Sequence, residues 1–425
     1  MGTYTTNYNL YKPTVGEQGW GTLVNTNFTT IDTTLKAANN DIDTIYLTTP
    51  VINTVNLTTP TTSTSIFTVP NGKSVIGISI NITSATSKNY DNFSIVDNTD
   101  TMLLEPFDIP SGKTGTLSGA SYSYSNFSGS NKGIYIISDN ITWVVSTAIT
   151  GARSNASGFG LQSSCVAAGG STYNGETDSG SVNTYVFNGS TWSTSGNLNT
   201  ARHGSPACGL QSAGIVSSGY QYSNYTKIVE KYNGSTWTSE ATQFPQAVAF
   251  GAAAGYQSST IHYGGTGVSS YQSTYKYDGS TWTLSGYLTQ PKYFHGGCGT
   301  ASSAIAVGGI TTSGASSAVC SLFNGATWII SPSVSVGGGT SVFGKTVSSV
   351  ISVGTYVSMP EYYDGAVWRV ISSLNTPRTG PCTIGSKNFG FVYDGQTSGT
   401  TRTTVTEKTA HVISSGAFTV KIITT

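Results

Sequence analysis

A short phrase recurs through the last two thirds of the chain and limits what it can fold into. Tyr185-Val-Phe-Asn-Gly-Ser-Thr-Trp192 is followed by Glu230-Lys-Tyr-Asn-Gly-Ser-Thr-Trp237 and Tyr275-Lys-Tyr-Asp-Gly-Ser-Thr-Trp282. Weaker copies follow as Leu322-Phe-Asn-Gly-Ala-Thr-Trp328 and Tyr362-Tyr-Asp-Gly-Ala-Val-Trp368. Successive tryptophans lie 45, 45, 46 and 40 residues apart. A period of about 40–50 residues with one aromatic signature per unit is that of β-propeller blades. One blade cannot bury both of its faces, so such units must stack in a ring. Asn-Gly and Asp-Gly provide the positive φ angles of a two-residue hairpin turn, here expected to join the third and outermost strands of a blade. Trp192, Trp237, Trp282, Trp328 and Trp368 then open the outer strands and wedge between neighbouring blades.

Each unit carries a glycine pair or its relic upstream: Gly169-Gly170, Ser218-Gly219, Gly264-Gly265, Gly308-Gly309, Gly354 and Asp394-Gly395. Further upstream, after a short loop, stand Arg153, Arg202, Gln246, Lys292 and Arg378, with no basic residue in the fifth unit. The order of basic residue, apolar strand, Gly-Gly, aromatic strand, turn and Trp resembles the kelch repeat. Inner-strand starts mark six blades: 150–199, 200–244, 245–289, 290–333, 334–375 and 376–425. The last has Phe418 where Trp would fall, so it is expected to supply its own outer strand, Phe418 to Ile422, without borrowing from the N-terminal side. Seven blades would result if Trp143 belonged to an irregular first blade.

The bulk composition agrees with an all-β chain. Only 9% of residues are charged, glycine numbers 51, and 25 Tyr, 15 Phe and 7 Trp stand among Ser, Thr and Asn. Disordered chains lack such aromatics. Nineteen basic residues balance nineteen acidic ones, which gives no footprint for nucleic acid. Cys165, Cys208, Cys298, Cys320 and Cys382 are odd in number and contain no C-x-x-C, so they read as buried free thiols. No 18-residue apolar run calls for membrane insertion.

Two further segments precede the repeats. Residues 1–49 read as an arm followed by a helix over Thr22 to Leu47, where Phe28, Ile31, Leu35, Ala38, Ile42 and Ile45 follow the three–four alternation of a coiled coil. That stripe is the expected oligomerisation face. An amphipathic helix lying on its own protein is the alternative. Residues 50–149 switch to period two (Ser65–Val69, Val75–Ile82, Phe93–Val96, Ile134–Ile137 and Ile141–Val145) and read as a small β-sandwich. Residues 150–425 form the kelch-like propeller.

The residues do not lead one to expect an enzyme. Copper oxidases of kelch architecture need a His/Tyr/Cys cluster, and His203, His262, His295 and His411 show no ligand spacing, so neither a metal nor another cofactor is called for. A glycosidase needs a carboxylate pair. Asp278, Asp364 and Asp394 read as turn residues, and the remaining acids of the repeats show no shared register. The candidate ligand site is Arg153, Arg202, Lys292 and Arg378 with His203 and His295, at equivalent places around a ring, an arrangement suited to an anionic sugar or phosphate. The competing reading makes each of them a cap on a loop carbonyl or a tie to a neighbouring blade.

The run from Tyr8 to Asp32 contains Lys12-Pro13, Gly16, Trp20-Gly21, Asn25, Phe28 and Ile31-Asp32. It resembles the K-P-x-x-G…W-G…N-x-x-F-x-x-I-D opening of phage fibre-type proteins, and the repeats are similar to those of phage tail-fibre and virion proteins. The resemblance implies a structural virion protein, assembled in the host cytoplasm, bound to other virion proteins through its N-terminus. Its helix would trimerise it and its propeller would contact host-surface glycans. A capsid-decorating or purely structural virion protein is the alternative. A secreted bacterial lectin or adhesin is the third; it calls for a signal peptide, and the first residues do not read as one.

Overall fold

The structure is a computed structural model. It describes residues 141–411 apart from 174–177, 268–270, 355–358 and 399–400, together with the strands and strand pairings on either side of that region. The helix expected over Thr22 to Leu47, with its Phe28–Ile45 stripe, lies outside the described residues.

Six four-stranded antiparallel sheets follow one another, each a meander from an inner to an outer strand. Blade 1 comprises Ser157–Leu161, Ser164–Ala168, Thr184–Phe187 and Trp192–Thr194. Blade 2 comprises Ala207–Leu210, Ala213–Gln221, Asn224–Tyr232 and Trp237–Ser239. Blade 3 comprises Ala252–Tyr256, Ser259–Tyr263, Ser273–Tyr277 and Trp282–Tyr287. Blade 4 comprises Gly296–Thr300, Ser303–Val307, Cys320–Phe323 and Trp328–Ser331. Blade 5 comprises Ser341–Thr346, Ser349–Val353, Glu361–Tyr363 and Trp368–Val370. Blade 6 comprises Cys382–Gly385, Gly390–Tyr393 and Thr406–His411, and its outer strand is Ile141–Ser146. The protein is all-β, with a six-bladed β-propeller and no helix among the described residues.

The ring therefore closes with a strand from the N-terminal side, and not with Phe418 to Ile422 as the repeat pattern had led one to expect. Trp143 lies opposite Thr409 in blade 6, the register at which Trp237 lies opposite Tyr232 in blade 2. It is the sixth wedge of a six-bladed ring. Ala417–Thr424 instead pairs with Val51–Leu57 on one edge and Val75–Thr83 on the other, within a four-stranded sheet completed by Thr114–Ser118. A second four-stranded sheet joins Phe67–Thr68, Gly133–Ile137, Tyr90–Asp97 and Met102–Ile109. A boundary at residue 149 thus separates strands that belong to one blade, and the last strand of the chain belongs with residues 51–137.

The seams between blades are apolar and aromatic. Trp237 meets Phe159 of blade 1 at 6.1 Å, Trp328 meets Tyr263 of blade 3 at 4.8 Å, and Trp143 meets Phe343 of blade 5 at 6.3 Å. Two of the indole N–H groups donate to a threonine on the third strand of the preceding blade, Trp237 to Thr184 and Trp328 to Thr274. Burying one such indole removes roughly 150–250 Å² of apolar surface from water, the largest single payload of each repeat.

The Asn-Gly turns differ from expectation in one detail. Phe187 pairs with Trp192, the Asn188 N–H bonds the Thr191 carbonyl, and only Gly189 takes positive φ, at 95°. The asparagine keeps a negative φ and accepts the Ser190 and Thr191 amides with its side-chain oxygen, at 3.0 and 2.9 Å. Asn or Asp serves here as a side-chain cap, with glycine first of the two central residues.

Candidate functional site

The meander places two sets of connections on one side of the ring: those from an outer strand to the next inner strand, and those between second and third strands. All four basic candidates lie in the first set, and all are buried: Arg153 at 1% exposure, Arg202 at 1%, Lys292 at 0% and Arg378 at 1%. Buried cations need partners, and each has them inside the ring wall. The Arg202 guanidinium donates to the Ser218 and Ile228 carbonyls and pairs with Glu230. Arg378 repeats this with the Asp394 and Val405 carbonyls and Glu407. Arg153 reaches the Gly169 and Asn183 carbonyls, lies 4.5 Å from the Tyr185 ring centre, and pairs across the closing seam with Asp394 at 2.9 Å. Lys292 donates to the Val319 carbonyl at 2.8 Å, and burial lowers its pKa to about 8. The basic residue is thus a clamp across the second and third strands of its own blade, near the end at which the two are joined; in blade 2 its acceptors lie within the strands, beside the bulge at Ser217–Gly219. The four cations line a wall, and the structure does not bring them together around an open site.

Their carboxylates follow a register that sequence reading missed. Glu230, Glu361 and Glu407 each stand on a third strand two residues before the residue opposite the wedge tryptophan. Blade 5 has Gly338 at the clamp position, and Glu361 instead accepts the Ser335 amide and hydroxyl. In blade 3 the place of Arg202 falls on Val248, four residues after Phe244 as Arg202 is four after Leu198; Gln246 bonds Ser273.

The glycine pairs are explained by the same neighbourhood. The second residue of the pair donates its N–H to the backbone carbonyl of the clamp position in the next blade: Gly170 to Arg202, Gly265 to Lys292, Gly309 to Gly338 and Gly395 to Arg153. The first residue takes left-handed φ, 65° at Gly169, and Ser218 and Asp394 adopt the same conformation, at 56° and 57°, where glycine is replaced. A Cβ on Gly169 would stand 2.6 Å from the Arg202 carbonyl oxygen, so close approach of the blades excludes one.

An open recess occupies the axis on this side, with a volume of about 370 Å³. Its floor is a chain of backbone hydrogen bonds from blade to blade. The Asn155 N–H donates to Gly380, Gly204 to Asn155, Phe250 to Gly204, Phe294 to Phe250, and Thr340 to Phe294. These residues each stand two positions after the clamp. Five of them take left-handed φ: Asn155 at 51°, Gly204 at 61°, Phe250 at 60°, Phe294 at 52° and Gly380 at 55°. Gly and Asn tolerate that conformation; phenylalanine in it costs about 1–3 kcal/mol and is rarely retained without purpose. Phe250 and Phe294 are half-buried, and their ring centres lie 4.2 Å apart. Further rings continue from them, with Tyr220 and His203 on one side and Tyr293 then Tyr271 on the other. Asn155, Thr379 and Gln396 add polar groups to the wall, and no Asp, Glu, Lys or Arg lines it.

Of the two candidate histidines, His203 packs on Tyr220 and Phe250 behind the recess, while His295 lines it. Burial first, then the Lys292 ammonium and His262, hold the His295 imidazole well below its ordinary pKa, so it is neutral at pH 7. Phe250 and Phe294 escaped the sequence reading because exposure at a loop end leaves no periodic signal. Their spacing of two residues after the clamp position is the signal that would have found them. Among the described residues, no group of three or more His, Cys, Asp or Glu is placed to hold a metal ion.

No protein-family model matches the chain, and no curated protein matches it. Among solved structures it is similar to one titled "Structure of YjhT", at a TM-score of 0.51 and 13% identity, covering 62% of this chain and 96% of that one. At that identity the likeness concerns the propeller fold alone.

Proposed function

We propose that the chain is a phage virion appendage subunit, tail-fibre-like, whose kelch-like propeller attaches the particle to glycans of the host surface through the axial recess. One observation carries this reading: the recess is a concave, partly aromatic site built by all six blades, with no carboxylate in its wall to serve as catalytic acid or base. A concave, partly aromatic and uncharged wall suits an attachment protein, which has to hold its ligand. The N-terminal string from Tyr8 to Asp32 supports assembly into a particle, and the short heptad stripe supports a trimer in which three recesses would act together.

The test is competition. Soluble full-length protein at saturating concentration should block adsorption of particles to their host, and periodate oxidation of the host surface should abolish its binding to cells. Adsorption that persists unchanged in the presence of the soluble protein would remove the attachment role and leave the capsid-decorating reading.

A further inference from the structure

The basic residues around the ring invite an anionic ligand, yet the geometry withdraws every one of them from the recess. Arg153, Arg202 and Arg378 are neutralised by Asp394, Glu230 and Glu407 inside the wall, and Lys292 is turned to a backbone carbonyl. What faces the opening is a pair of half-buried phenyl rings and a small set of neutral polar groups.

Resting on the attachment reading above, we infer that the recess takes an uncharged pyranose unit of a neutral glycan, seated on Phe250 and Phe294. Three observations converge on that class. A pyranose has an apolar C–H face and a rim of hydroxyls, which matches stacking rings bordered by groups that both donate and accept. Asn155, Thr379 and Gln396 provide such groups, whereas a carboxylate or phosphate would need a cation that the wall lacks. The opening, about 370 Å³, has room for one or two sugar units and falls in the size range of small-ligand sites. Finally, the two phenylalanines occupy positions that Gly204, Gly380 and Asn155 fill in other blades without backbone strain. Backbone conformation alone would be met more easily by glycine at both, so the aromatic faces are retained against a conformational penalty. An observed outlier of this kind points to function.

The experiment uses the full chain and two variants, Phe250→Gly and Phe294→Gly, with binding followed by calorimetry or saturation-transfer NMR. The probes are methyl glycosides of glucose, galactose, mannose and N-acetylglucosamine, set against N-acetylneuraminic acid and glucuronic acid. The expected result is binding of one or more neutral glycosides that is insensitive to added salt. Each variant should weaken it roughly tenfold or more while melting no lower than the parent, because glycine relieves the left-handed strain. A variant that melts lower is replaced by Phe→Asn, which copies Asn155. Preferential, salt-sensitive binding of the acidic sugars would overturn the neutral class and leave attachment standing. Neutral binding untouched by both variants would overturn the seat on the phenylalanines. If no probe binds, and particles carrying either variant adsorb as well as the parent, the inference and the attachment reading fall together.

Discussion

Trp143 stands opposite Thr409 in the outermost ladder of blade 6, and its indole N–H donates to the Ser372 carbonyl of the preceding connection at 2.8 Å. The first tryptophan of the ring region in sequence is therefore the last wedge in space. Replacing Trp143 by Ala should destabilise the propeller by about 3–5 kcal/mol, as for any large buried aromatic. Phe418→Ala should leave the propeller transition unchanged. Denaturant titration followed by tryptophan fluorescence measures both, and equal effects would show that Trp143 closes nothing.

Truncation gives a complementary expectation. A fragment of residues 141–411 contains every strand of the ring, whereas one of residues 150–425 lacks the outer strand of blade 6. The first should melt cooperatively. The second should be soluble only as aggregates or oligomers that borrow the missing strand, since an open outer edge is a template for pairing. Size-exclusion chromatography with light scattering separates the two outcomes.

Arg202 and Glu230 form a buried pair, and each is also tied to the backbone: the arginine to two carbonyls, the glutamate to the Asn199 and Thr200 amides. Arg202→Met alone should cost about 3–5 kcal/mol, because it leaves a buried carboxylate uncompensated. Combining it with Glu230→Leu should recover part of that loss, though not all, since the backbone carbonyls and amides lose their partners as well. A double-mutant cycle in urea reads the coupling. Glycan binding by the doubly substituted chain should be that of the parent once folded.

Asp394 gives the ring a pH signature. Burial, opposed by the nearby Arg153 and Arg378 guanidinium groups, raises its pKa from 3.8 to about 6. The folded chain then keeps a proton up to about pH 6 that the unfolded chain loses near pH 4. Between those values the native state binds more protons, so stability contributed by this group falls as pH rises, the reverse of a salt-bridged carboxylate in an exposed setting. Asp394→Asn should flatten that part of the profile. Melting temperatures taken from pH 4 to pH 7 test it, and an unchanged slope in the variant would assign the effect elsewhere.

Legibility in the sequence followed locality. The six blades, the wedge role of Trp192 through Trp368 and the glycine pairs were readable because each recurs at a fixed offset within its own repeat. The partner of an edge strand is a non-local fact: Ile141 to Val145 and Phe418 to Ile422 are both short alternating apolar runs, and only tertiary pairing decides which of them joins blade 6. The clamps were half visible. Equivalence of Arg153, Arg202, Lys292 and Arg378 was plain, but Arg153 meets Asp394 across 241 residues, a partnership without any sequence spacing to betray it. The recess was hidden for a different reason: Phe250 and Phe294 differ from an ordinary buried phenylalanine only in backbone angle and exposure.

The double passage of the chain between the ring and the sheets of residues 51–137, once before Ile141 and once after His411, has a mechanical meaning. A disc hung on one linker swivels freely and hands any pull to a single strand. This one is tethered twice, by an edge strand of its own and by a strand lodged between two others in the neighbouring sheet, each gripped along its length by antiparallel ladders. A pull on the ring relative to those sheets would therefore act on two ladders, one of six residue pairs at Ile141–Ser146 and one at Ala417–Thr424 that has a partner strand on each edge.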